Sequence, residues 1–312
     1  QAELIAWATD SNAIGQLQND IVLVGGTWPL ELGDNKILDG NGYTITIHNG
    51  MTDGMFVLND SGYTATIKYL IIDAGNIVMN SHQGVLFSTG ADPGADNLTI
   101  NVTNVGFTGT FTIGTGGGAV FGKFDQNTGC NVTITNCFSE GETANGSGGL
   151  IGAFTCNGNG SVKIHNCFTT GAINESGGGI AGNEFGKDHA SNGDAIITNC
   201  YTTGNITGDR GGGIIAGNSG GSNNITSRLL IGNCYSFGDI TNSTNKGGGI
   251  VGFNSYLSKI KIEHCHSVHA TGSLSAGILI VLTNWKMMNI LCIPFLIIII
   301  LTTLRAEILS KK

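Results

Sequence analysis

The side chains with the greatest chemical reach in this sequence are its eight cysteines: Cys130, Cys137, Cys156, Cys167, Cys200, Cys234, Cys265 and Cys292. A cysteine thiolate is a nucleophile and a metal ligand. Five of them, Cys137, Cys167, Cys200, Cys234 and Cys265, follow one another at steps of 30, 33, 34 and 31 residues. Zinc sites need ligands in close pairs such as C-x2-C, and none occurs. One cysteine per repeat points instead to a column of buried thiols filling the same apolar slot, since a free cysteine packs as a small hydrophobe. Cys130 and Cys156 lie off this column, 26 residues apart. That is close to one repeat, which makes them the disulfide candidate in an oxidising compartment. His264, Cys265, His266 and His269 have the residue types of a metal site. However, His264 and His266 stand where other repeats have Asn and an aromatic residue, so repeat drift explains both. No metal site and no cofactor is expected.

Catalytic carboxylates are sparse. Glycoside hydrolysis needs two acids held several ångströms apart. Glu140 and Glu142 could share a face, and Asp39, Asp53, Asp60 and Asp73 fall in the early repeats, none with an obvious basic partner. Asp188 and His189, in the stretch 183–192, form the best local chemical pair. No Ser-His-Asp pattern, nucleotide-binding glycine loop or zinc motif stands out. An enzyme is not expected; a polysaccharide-active β-helix enzyme is the minor alternative.

The repeat itself is the strongest feature. The segments VTITNCF (132–138), VKIHNCF (162–168), IITNCY (196–201), LIGNCY (230–235) and IKIEHCH (260–266) align directly. The first four each precede a glycine-rich apolar run: GGLIG (148–152), GGGIAG (177–182), GGGIIAG (211–217) and GGGIVG (247–252). Short β-branched runs bounded by Gly, Asn and Ser read as strands. One such unit cannot bury its own faces, whereas stacked units bury a continuous core. Asn104, Asn136, Asn166, Asn199 and Asn233 precede the column residue, where Asn suits a left-handed corner. Phe138, Phe168, Tyr201 and Tyr235 follow it, so with cysteine inward the rings point outward and stack. Leu70 and Val105 hold the cysteine slot in earlier, degenerate coils. About eight coils result, a rod of roughly 35–40 Å. Residues 2–18 have the pattern of an amphipathic helix that would cover the first coil.

The text CYSFGDI (234–240) followed by GGIVG (248–252) resembles the GLUG repeat of bacterial adhesins and other large surface proteins. The likeness covers 129–272, and more loosely 36–128, where DGNGYTI (39–45) is similar to pectate-lyase-like β-helices. It implies an all-β, right-handed parallel β-helix (solenoid); the residue patterns add a short N-terminal capping helix and a C-terminal hydrophobic helix. It implies function poorly, because such repeats are scaffolds. The organisation expected is a cap at 1–20, degenerate coils at 21–128, GLUG-like coils at 129–272 and a hydrophobic tail at 273–312.

Bulk properties set the compartment. The 312 residues include 51 glycines and 3 prolines, only 12% are charged, and the net charge is −8. The absence of a basic cluster argues against a nucleic-acid partner. A start at Gln1 rather than Met suits a secreted chain freed of its signal peptide. Sequons at Asn59, Asn97, Asn101, Asn131, Asn145, Asn159, Asn174, Asn205, Asn224 and Asn242 would carry glycan in a eukaryotic secretory pathway. Residues 287–304 are apolar and span ~27 Å as a helix, near the membrane core thickness. Arg305, Lys311 and Lys312 follow on the side expected to stay inside. The expectation is a secreted glycoprotein at the cell or virion surface, anchored through this tail. Its role would be structural or adhesive, toward a surface glycan or protein ligand. The alternative is a subunit of an extracellular filament or coat, assembled with copies of itself.

Overall fold

A computed structural model describes residues 1–11, 13–26, 28–48, 50–88, 96–123, 129–153, 160–186, 194–217, 219, 228–241, 247–252 and 260–268. The expected tail helix and anchor, 273–312, lie outside the described residues, as do Cys156, Asp188, His189, His269 and Cys292. Among the described residues no helix is long and apolar enough to cross a membrane.

The chain is an all-β solenoid in which every strand pairing among the described residues is parallel. Its longest wall stacks strands one above another: Ile14–Gln16, Lys36–Asp39, the first half of Thr64–Asp73, the first half of Thr99–Thr108, Asn131–Thr135, Ser161–His165, Asp194–Thr198, Arg228–Gly232 and Ile260–Glu263. Register is kept without slippage: Leu38, Ile67, Val102, Ile134, Ile164, Ile197, Ile231 and Ile262 lie directly over one another. All are buried. Strand side chains alternate in direction, so one slip would turn this column outward.

A sharp corner follows each of these strands. Tyr69, Asn104, Asn136, Asn166, Asn199, Asn233 and His264 occupy it with φ between 51° and 55°. That left-handed conformation costs most L-residues 1–2 kcal/mol, and asparagine tolerates it best after glycine. The corner turns the next residue inward. Leu70, Val105, Cys137, Cys167, Cys200, Cys234 and Cys265 are accordingly buried.

The second wall is short and carries the outward rings. Its inward positions change along the rod: Ile45, Ile72 and Phe107 in the early coils, then Ser139, Thr169, Thr202 and Ser236. The change matches the third wall, where the glycine runs sit. A Cβ on Gly178 or Gly212 would fall on the carbonyl oxygen three residues on, of Ala181 or Ile215. A Cβ on Gly213 would also meet Ser236. The walls are therefore close together in the later coils, and only small residues fit between them. Thr169 Oγ1 donates to Gly179 O at 2.8 Å across this gap. The early coils are wider and filled by rings. Trp7, Phe56, Phe87 and Phe121 follow one another at centroid distances of 6.0, 6.2 and 5.2 Å.

Helix α1 (Ala2–Thr9) covers the first coil with Leu4, Trp7 and Ala8, the i, i+3, i+4 stripe of an amphipathic helix. It is shorter than the pattern over 2–18 suggests. Ile14–Gln16 is a strand paired with Lys36–Asp39, because Gly15 lets the Trp7 ring pack against the backbone where a Cβ would collide. Lys36 fastens the helix: its buried Nζ donates to Trp7 O at 2.6 Å and Asp10 O at 2.7 Å, with the Asp10 carboxylate at 3.4 Å. These are carbonyls at the helix's C-terminal end, where backbone acceptors need outside partners and a cation is favoured.

Candidate functional site

The thiol column points into the core. Cys137, Cys167, Cys200 and Cys234 are free thiols, and each Sγ donates to the carbonyl two residues back at 3.2–3.3 Å. Cys265 continues the column and donates to Glu263 O at 3.2 Å. Burial pushes the Cys137 thiol up, and pushes the Cys130 thiol up to about 11. Sulfurs hydrogen-bonded to backbone carbonyls in a dry interior pack there as small hydrophobes. Cys130 is buried as well.

The corner histidine follows the repeat. His264 takes the left-handed position, with φ 51°, and His266 stacks on Tyr235 at 5.6 Å and 10°. Both therefore do what Asn and the aromatic residue do in other coils.

The acidic candidates separate. Glu140 Oε2 accepts from Gly109 N–H at 3.0 Å, a contact between successive coils, while Glu142 lies in the short strand Glu142–Thr143. Asp73 accepts from Gly75 N–H at 3.0 Å, and Asp60 from the Tyr63 hydroxyl at 2.7 Å. Asp53 accepts from Asn80 Nδ2 at 2.6 Å. Asp39 corrects the reading that no acid has a basic partner: Lys68 Nζ lies 3.1 Å from its Oδ2. The two residues are one coil apart, a proximity that only the register Asp39↔Lys68 creates.

The outward face of the second wall carries a row of rings. Phe138, Phe168, Tyr201, Tyr235 and His266 are in register. Phe138 and Phe168 stack at 5.1 Å and 6°, Phe168 and Tyr201 at 5.0 Å and 4°. Phe237 lies parallel to Tyr235 at 6.1 Å and 4°. Toward the C-terminal end the rings open to solvent: Tyr201 is 37% exposed, Tyr235 40% and Phe237 49%, with Val268 at 60% beside them. The parallel strands present Phe138, Phe168 and Tyr201 at the strand spacing, which brings their rings face to face.

Among the sequons, Asn59, Asn97, Asn131, Asn145 and Asn205 are exposed, and Asn101 and Asn174 are half-buried. Asn159, Asn224 and Asn242 lie outside the described residues.

This geometry defines a parallel β-solenoid with a structural interior and an aromatic outer strip. No protein-family model matches the chain, and no curated protein matches it. A crystal structure of a Bacteroides ovatus protein, assigned provisionally as an immunoglobulin A1 protease, is similar at 20% sequence identity and a TM-score of 0.42. The match covers 84% of this chain and 74% of that one. That likeness assigns no activity to this chain.

Proposed function

We propose that the chain is an extracellular surface protein with an adhesive role, a rod whose aromatic strip meets a surface ligand without catalysing a reaction. The observation that carries this reading is the exposed ring row in which Tyr201 and Tyr235 are in register and Phe237 lies parallel to Tyr235. Flat aromatic surface left in water is costly, and such surface commonly marks an interaction site. The likeness of 129–272 to GLUG repeats and the exposed sequons support a secreted surface location. The test is attachment of the purified full chain to cells and to matrix-coated surfaces, compared with a Tyr201→Ser, Tyr235→Ser, Phe237→Ser variant. Attachment lost in the variant, with the fold intact by circular dichroism, supports the reading. No attachment by the parent chain, or equal attachment by both, rejects it.

A further inference from the structure

We infer that the foot of this same face carries a built subsite for a neutral pyranose sugar, with Tyr69 as its stacking platform. The inference takes the adhesive reading as its starting point and places a ligand at particular residues.

The site arises from one irregular corner. Asp39 pairs with Lys68 and Thr44 pairs with Ile71. Four residues, 40–43, therefore stand opposite two, Tyr69 and Leu70. The wider corner is held by Gly40 N–H to Lys68 O at 2.7 Å, Gly42 N–H to Tyr69 O at 2.8 Å and Tyr43 N–H to Gly40 O at 2.8 Å. On the other side, Leu70 pairs with Val105 in the ordinary register. The mismatch opens a groove of about 590 Å³, lined by Asp39, Asn41, Tyr69, Ile71 and Asn104, with Gly42 and Leu70 completing it. The groove is shallow and open to solvent. Ile71 belongs to the register column that leads through Gly106 to Phe138, so the groove opens at the base of the aromatic strip.

Tyr69 is out of place on structural grounds. It sits at φ 54° where later coils have asparagine, and it is 49% exposed. A bulky residue in the left-handed region is an outlier that neither packing nor propensity favours, and strain of this kind gathers at functional sites. Its ring wall supplies an apolar plane for the C–H face of a sugar. The surrounding groups suit hydroxyls. Asp39 is fixed by the Asn41 N–H at 2.9 Å and by Lys68 at 3.1 Å, yet keeps acceptor capacity. Among the described residues the Asn104 amide and the Tyr69 hydroxyl have no hydrogen-bond partner, which leaves both for a ligand. Asp39 and Lys68 cancel in charge, and Lys68 Nζ lies 5.6 Å from the Tyr69 ring centroid. The groove therefore suits a neutral sugar better than a uronate.

The experiment is saturation-transfer NMR on the full chain, with methyl β-galactopyranoside and methyl β-glucopyranoside as probes at millimolar concentration. We expect transfer to the ring C–H protons of at least one probe. Tyr69→Asn should reduce it at least fivefold while Tyr235→Ser leaves it unchanged. Tyr69→Asn restores the residue found at this corner in other coils, so it folds and separates a lost site from a lost structure. No transfer with either probe, or transfer unaffected by Tyr69→Asn, overturns the assignment. Cell attachment is measured alongside. Attachment without sugar transfer sinks the groove and leaves the adhesive rod standing; transfer that depends on Tyr69 without attachment does the reverse.

Discussion

Replacing Asn136 with alanine isolates the energetic role of the corner. Asn136 is exposed, sits at φ 54° and makes no side-chain hydrogen bond among the described residues. Its contribution is therefore conformational: it accepts the turn that sends Cys137 inward and Phe138 outward. An ordinary L-residue pays 1–2 kcal/mol there, so Asn136→Ala should lose about 1 kcal/mol. Asn136→Gly should lose only a few tenths, because glycine enters the left-handed region freely. The amide of Asn136 donates to His165 O at 3.0 Å and that of Phe168 to Cys137 O at 3.1 Å, and these report opening of this corner. A loss of about 1 kcal/mol makes their hydrogen exchange roughly fivefold faster in the alanine variant. At Tyr69 the same logic runs in reverse. Tyr69→Asn relieves the strain and gives up a contact with Lys68 worth ~0.5 kcal/mol at an exposed site, for a net gain of about 0.5 kcal/mol. Equal exchange in the alanine and glycine variants would refute the argument, because a conformational cost must distinguish them. Destabilisation by Tyr69→Asn would refute it as well.

Three further outcomes follow from the interior. Lys36→Met leaves Trp7 O and Asp10 O without their buried donor, at a cost of about 2 kcal/mol; hydrogen exchange across Ala2–Thr9 should rise while the distant Ser161–His165 strand is unaffected. Gly212→Ala forces a Cβ onto the Ile215 carbonyl and should lower thermal stability by about 1–3 kcal/mol, whereas Gly232→Ala, whose Cβ meets only Thr198 Cγ2 at 3.4 Å, should be neutral in the same melt. Burial raises the Cys130 thiol from 9.0 to about 11. The folded state holds that proton more tightly than the unfolded chain, so the associated stability is complete below pH 9 and falls as pH rises through about 11. Urea midpoints across this window should drop for the parent chain and drop less for Cys130→Ala.

What the sequence determined by itself was the coil. Residues some 30–34 positions apart do the same job, so VTITNCF and its counterparts show inward Ile, a corner Asn (His264 in the last), buried Cys and outward ring by text alone. Local chemistry suffices for this, since alternation is a property of one strand and the left-handed turn a property of one residue. The tertiary structure decided what depends on the relation between coils. The closeness of the later walls dictates the buried hydroxyls Ser139, Thr169, Thr202 and Ser236, and no single repeat reveals how near the opposite wall lies. Asp39 and Lys68 became a pair only through register. Tyr69 left a trace in the sequence, as the one aromatic residue preceding the column slot where later coils have Asn or His. Its groove left none, because four residues standing opposite two is a fact about two coils at once. A sequence lists each coil in turn, while a cavity between coils is set by how their hydrogen-bonded edges meet.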